Sequence, residues 1–296
     1  MGGKAFTDTQ RINREDIYGT LTWLERHWPE YILNDGKPLG KVMLGSAGKN
    51  ETSGDIDLNL SIDAYDQAKV ANDLIALLGD DHVKARPGNN QIFTSIPING
   101  DAEAHGRVQV DFMFGNFEWQ KFSYFSAGKT DMLRWGNSSA SYFKGLYRTE
   151  MIKAITAYCS DWVLEDKGEI IARVGPTFFH DRGLLWRYRL RPMRQDGTAR
   201  VKEFKELSKE EFLKVYPSAV TALTDKMDDP KKVVEYLFNG RGSVSSVDTL
   251  ESISMYMNRA FDSDARRTIC AIFLERLNNL KVEVPMKDFK HIYLQV

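Results

Sequence analysis

Residues 42–60, VMLGSAGKNETSGDIDLNL, constrain this chain more than any other stretch. An apolar run, Val42 to Leu44, leads into a Gly45-Ser46 turn and a polar, glycine-bearing segment. A second run then alternates Asp55 and Asp57 with Ile56 and Leu58. A strand repeats every two residues, so Asp55 and Asp57 project side by side from one face while Ile56 and Leu58 turn to a core. Two like charges at that spacing repel, and both ionise cheaply only if a cation lies between them. Mg²⁺ is the natural candidate, because it takes carboxylate oxygens together with the phosphate oxygens of a nucleotide. The Gly-Ser turn adds a backbone open to close approach, a hydroxyl and exposed N–H groups, which a phosphate requires. Together they predict a site for a metal and a triphosphate.

A third acid comes from Arg107–Gly115, RVQVDFMFG, which alternates as a strand with Val108, Val110, Phe112 and Phe114 on one face and Asp111 on the other. On Leu44-Gly45-Ser46, Asp55-Ile56-Asp57-Leu58 with eight residues between Ser46 and Asp55, and Asp111, the chain resembles the DNA polymerase β-like nucleotidyltransferase superfamily. That superfamily includes CCA-adding and poly(A) polymerases, kanamycin nucleotidyltransferase and the cGAS-like enzymes. The resemblance covers about the first 115 residues and needs three separated elements on the right secondary structures. It implies an α+β fold on a mixed β-sheet with flanking helices. It further implies two Mg²⁺ or Mn²⁺ ions, about 3.5–4 Å apart, on Asp55, Asp57 and Asp111. An NTP would be the substrate, with its triphosphate on Gly45 and Ser46. The reaction implied is transfer of a nucleoside monophosphate to a hydroxyl with release of pyrophosphate. The acceptor expected first is an RNA 3′ end; the alternatives are a protein side chain, a small molecule, a second nucleotide, or nucleotide binding without turnover.

The 296 residues, 42% hydrophobic and 11% aromatic, suffice for a packed core in one large or two ordinary domains. A net charge of −1 excludes a uniformly basic nucleic-acid coat, so any such contact must come from a local patch. Cys159 and Cys270 make neither a disulfide framework nor a zinc site, and a reducing cytoplasm is the expected setting. No apolar run is long enough to span a membrane, and no signal-peptide h-region is read near Met1. Met1-Gly2 fails the myristoylation pattern at Phe6.

The pattern predicts a catalytic domain over residues 1–145 and a mainly helical domain over 146–296 with a basic β-hairpin near 182–205. Residues 1–14 read as loose. An amphipathic helix follows to Pro29, with Ile17, Leu21, Leu24 and Trp28 on one face. Asp63 is the expected cap of a second helix, which carries Val70, Leu74, Leu77 and Leu78 and stops at Gly79. A strand over NQIFTSIPI precedes the Asp111 strand. GSAGKN and SAGKT are not Walker A loops, because Met43 and Ser123 stand where the first glycine is required. Lys49 remains a phosphate contact from within the turn. A long helix is predicted over Thr149–Glu165, capped by Thr149 and ended by Gly168, with Ile152, Ile155, Cys159 and Trp162 inward. Related enzymes offer a lysine to the triphosphate from a helix after the sheet, for which Lys144, Lys153 and Arg148 are the candidates.

From Arg182 to Lys205 eight Lys or Arg residues oppose two acids, a local charge of +6. Arg187, Arg189 and Arg191 alternate with Trp186, Tyr188 and Leu190, so a strand here shows a row of arginines. Such a row suits phosphate or an RNA backbone; equally, it suits an edge strand kept from aggregation by charge. Further helices are expected from Ser208 with Glu211, from Asp229-Pro230, over 246–260 and over 263–279, with a last strand at 289–296.

Overall fold

The computed structural model describes residues 5–28, 38–86, 88, 90–127, 145–160, 162–197, 200–219 and 226–282. The chain is α+β and divides into two units, Met1–Gly145 and Leu146–Val296.

In the first unit a short strand β1 (Ile12–Asn13) leads into helix α1 (Arg14–His27). Strands β2 (Thr52–Ser53) and β3 (Asp55–Leu60) precede helix α2 (Gln67–Leu78), and β4 (Val83–Arg86), β5 (Gln91–Pro97), helix α3 (Ala102–His105), β6 (Arg107–Phe114) and helix α4 (Phe117–Ser123) follow. The sheet runs β3-β6-β5-β4, with β3 parallel to β6 and the other pairs antiparallel. Its inward residues, Ile56, Leu58, Leu60, Val108, Val110, Phe112, Ile92 and Ile96, form one core with Ile17, Leu21 and Leu24 of α1 and Val70, Ala71 and Leu74 of α2. Acids open α1 and Arg26 and His27 close it, the arrangement the helix dipole favours. The cap of α2 is Asp66, which accepts from Lys69 N–H, and not Asp63. Asp63 instead lies in a turn closed by Ala64 and Tyr65 N–H on Ser61 O.

Residues 5–13 are tied to the sheet, contrary to the expectation of a loose N-terminus. Parallel pairing of β3 with β6 begins at Gln109, which leaves the backbone of Arg107 open on that edge. Thr9 bridges to Arg107 there, and Gln10 N–H donates to Arg107 O at 2.8 Å. Ile12 is fully buried in the core, and β1 pairs with β2.

The second unit opens with helix α5 (Gly145–Tyr158) and continues with β7 (Trp162–Asp166), β8 (Glu169–Phe179), β9 (Gly183–Leu190) and β10 (Lys205–Leu207). Helix α6 (Lys209–Val215), β11 (Lys226–Met227) and helices α7 (Pro230–Leu237), α8 (Leu250–Ala260) and α9 (Ser263–Asn279) complete it. The expected helix over 149–165 is corrected on three points. Thr149 is buried within α5 rather than capping it, the helix ends at Tyr158, and Trp162 lies on a strand. Gly168, which looked like a helix stop, forms with Lys167 a two-residue turn of positive φ (53° and 77°) joining β7 to β8. The arginine-bearing strand belongs to a sheet ordered β10-β9-β8-β7, with β11 also on β9. It is an interior strand, so the edge-strand reading of its charges does not hold.

The helices at Ser208, Asp229-Pro230 and 263–279 form as expected, with a capping box between Ser208 and Glu211, whereas the helix expected over 246–260 begins only at Leu250, after a separate 3-10 turn at Val244–Val247. Among the described residues no helix is long and apolar enough to cross a membrane. The strand expected at 289–296 lies outside the described residues. Because Ile12 is enclosed, Ile12→Ala should cost about 2–5 kcal/mol in a urea unfolding measurement. A loose N-terminus would leave the midpoint unchanged.

Candidate metal and nucleotide site

The register of β3 on β6 builds the site. Asp57 pairs with Asp111 and Asp55 with Gln109, all on the face opposite Ile56, Val110 and the core. One carboxylate oxygen from each of Asp55, Asp57 and Asp111 lies within 4.8 Å of the others. Asp111 is buried, and the other two are half-buried. The Asp57 carboxyl is held well above the usual carboxylate range, first by burial, then by the charges of Asp55 and Asp111. Three hard oxygen donors whose mutual repulsion raises one of their own pKa values form a donor set suited to a divalent cation such as Mg²⁺ or Mn²⁺.

The Gly45-Ser46 turn adjoins this cluster. Val42–Leu44 lies antiparallel to β3: Met43 bridges to Leu58, Leu44 N–H donates to Asp57 O at 2.8 Å, and Asn59 N–H to Val42 O at 2.9 Å. The chain then turns at Gly45 with φ +65°, and a Cβ at this position would stand 2.8 Å from Asp57 Oδ2. Glycine is therefore required twice, for the backbone angle and for the approach of the carboxylate. The segment returning to Asp55 is fastened from the N-terminal side. Arg11 donates to Thr52 Oγ1 and O, and Arg14 donates to Asn50 O and Lys49 O. Lys49 Nζ donates to Ser126 O at 2.6 Å and stands 4.8 Å from the centre of the Phe125 ring. In this arrangement Lys49 fastens the turn to residues 125–126.

Gln109 escaped the sequence reading. Its Nε2 donates to both oxygens of Asp111, at 2.8 and 3.1 Å, and its Oε1 accepts from Ala5 N–H at 2.7 Å. The amide thus fixes the plane of the Asp111 carboxylate and supplies a donor where three acids meet. The signal was available in the alternation RVQVD, which puts Gln109 and Asp111 on one face; its partner Ala5 came from the segment read as loose. At the far end of that face Asn59 donates to Gly115 O and to Gln120 Oε1 of α4, which closes the sheet there.

Lys144 lies outside the described residues. Lys153 is in the second unit, 2.9 Å from Glu150 Oε1, and Glu150 also binds Arg276. Arg148 is buried and donates to Val247 O, and burial lowers its guanidinium to about 10 against the opposing charge of Asp248. Arg187 pairs with Glu206, Arg189 donates to Thr177 Oγ1, and Arg191 lies 3.6 Å from Glu169.

No protein-family model matches the chain, and no curated protein matches it. Among solved structures it is similar to the Leishmania infantum polymerase beta of a crystal structure described as a ternary P/T complex. That likeness has 13% sequence identity, covers 75% of this chain and 78% of that one, and has a TM-score of 0.32. At that score it carries no argument about this chain's chemistry.

Two outcomes test the site. In the folded, metal-free protein Asp57 keeps a proton that the unfolded chain has already lost above the ordinary carboxylate pKa. Stability should therefore fall as pH rises through the window between that value and the raised one. Asp57→Asn should remove the loss, raising the melting temperature in EDTA at neutral pH by about 2–4 °C for each kcal/mol relieved, and should abolish any gain on adding Mg²⁺. Gln109→Ala should weaken Mn²⁺ binding, followed by electron paramagnetic resonance, by about 10–100-fold, the usual cost of losing a group that orients a ligand. Unchanged affinity would show that Asp111 needs no such support.

Proposed function

We propose that this chain is a metal-dependent nucleotidyltransferase that moves a nucleoside monophosphate from an NTP to a hydroxyl, with an RNA 3′ end as the acceptor. The observation that carries the reading is the convergence of Asp55, Asp57 and Asp111 within 4.8 Å beside the Gly45-Ser46 turn. Asp55, Asp57 and Asp111 would hold Mg²⁺ or Mn²⁺. Two such ions, as the resemblance implies, supply neutralisation of the leaving pyrophosphate and a lowered pKa at the acceptor hydroxyl. The turn would receive the triphosphate on its N–H groups and the Ser46 hydroxyl. The acceptor oxygen forms a bond to the α-phosphorus, the bond from that phosphorus to the bridging oxygen of the β-phosphate breaks, pyrophosphate departs, and the hydroxyl proton passes to solvent. The protein's share is positioning and charge, which is most of what phosphoryl transfer demands.

Purified protein is to be incubated with each labelled NTP, Mg²⁺ or Mn²⁺, and total cellular RNA and protein, and the label followed on a denaturing gel. Label should enter RNA, and the Asp55→Ala/Asp57→Ala protein should give none. Asp111→Asn should abolish transfer while leaving nucleotide affinity within a few-fold by calorimetry. Full activity in that variant would remove Asp111 from the site. Label in protein would move the acceptor to a side chain, and absence of both label and pyrophosphate release would contradict turnover.

A further inference from the structure

The second unit carries a like-charge cluster of the opposite sign. Residues of odd number on β8 and β9 share one face, and the register sets Arg173 directly against Arg189 and Gly175 against Arg187. Arg191 follows β9 on the same alternation and donates its N–H to Ile171 O. Four guanidinium groups thus stand on one sheet face. Like charges opposite one another on neighbouring strands destabilise a sheet. Burial, then Arg173 and Arg187, lower Arg189 to about 10, and burial with Arg191 lowers Arg173.

The partners within the protein answer this charge only in part. Glu206 faces Arg187 and Glu169 faces Arg191, but their side chains are 42% and 64% exposed, and exposed pairs contribute little. The Phe204 ring lies 5.2 Å from the Arg173 guanidinium and 4.7 Å from that of Arg191. Among the described residues, the Nε groups of Arg173 and Arg191 are buried donors without an acceptor. The face has a wall as well: a Cβ on Gly175 would stand 3.1 Å from Cys159 O and 3.3 Å from Ser160, so that backbone crosses beside Arg187.

We propose that this face binds the phosphodiester backbone of single-stranded RNA, with Arg173, Arg187, Arg189 and Arg191 as phosphate donors; RNA is named on the strength of the acceptor reading above. Guanidinium pairs bidentately with phosphate and is lightly hydrated, so it gives up water for such a partner more readily than lysine does. Alternate residues on a strand stand about 7 Å apart, and opposite residues about 5 Å. The four groups therefore cover more than one phosphate, as a run of successive phosphates would. Phe204 adds an aromatic surface of the kind on which bases stack.

The test uses the full-length Asp55→Ala/Asp57→Ala protein without nucleotide, so that its result is independent of turnover. A fluorescent single-stranded RNA of about 12 nucleotides is titrated by anisotropy at salt from about 50 to 200 mM. Adding Arg173→Gln and Arg189→Gln should weaken binding at least tenfold and reduce the salt slope by about 1.4, at 0.7 for each phosphate contact. Removing repelling charges should leave the melting temperature unchanged or higher. Glu206→Gln, an exposed change made separately, should tighten binding several-fold by releasing Arg187. Absence of RNA binding, a slope untouched by the arginine changes, or equal competition by polyglutamate would overturn the proposal, the last by marking a site for acidic protein.

Discussion

The parallel pairing of β3 with β6 is the constraint on which the first unit depends. In one register it sets Ile56 on Val110 and Leu58 on Phe112 inside the core, and Asp57 on Asp111 outside it. A slip of one residue would bury the acids and expose the apolar set, so the hydrophobic effect itself fixes the carboxylates. Their repulsion is a local cost on a sheet held by the packing of two helices. Burial first, and then the charges of Asp55 and Asp111, hold the Asp57 carboxyl above the usual carboxylate range. A site that binds a cation needs such stored repulsion, because binding is strongest where the ligands are worst off without it.

The surroundings of the acids limit how they can respond. Gly45 leaves no side chain between the turn and Asp57, and Gln109 gives Asp111 a donor at both oxygens. Arg11 and Arg14 donate to backbone carbonyls and a threonine hydroxyl of the returning segment, a few residues ahead of Asp55 and Asp57. The N-terminal residues therefore support the site mechanically, through Ala5 on Gln109 and Arg11 and Arg14 on the loop.

Much of this was legible in the sequence because period-two alternation is local. Asp55, Asp57 and Asp111 announce their face through their neighbours, and the same rule located Arg187, Arg189 and Arg191 on β9. The misreadings share a different cause. Gly168 ends a helix or turns a hairpin with equal ease, and only the pairing of Asp166 with Glu169 decides between them. Asp63 and Asp66 are equally good caps, and the turn on Ser61 selects the second. Ile12 fell in the segment read as loose, and its pairing with Ser53 on β2 is what holds it. The first two were decided by hydrogen bonds within a few residues and the third by a contact distant in sequence, and propensity encodes none of them.

The two sheets apply one principle with opposite signs. Each presents an alternating strand whose apolar residues are committed to a core, so its charged residues have nowhere else to go. On β3 and β6 three acids meet, with the Gln109 amide on Asp111; on β8 and β9 four arginines meet, with two exposed glutamates, the Thr177 hydroxyl and an aromatic ring among their partners. A protein selected for stability alone would have neutral residues at most of these positions, since like charges across a sheet weaken it. Retaining both clusters makes sense when each acts on something of opposite charge: cations for the acids, phosphates for the arginines. The proposed activity would use both, because metal ions and polyanionic substrates require surfaces of opposite sign.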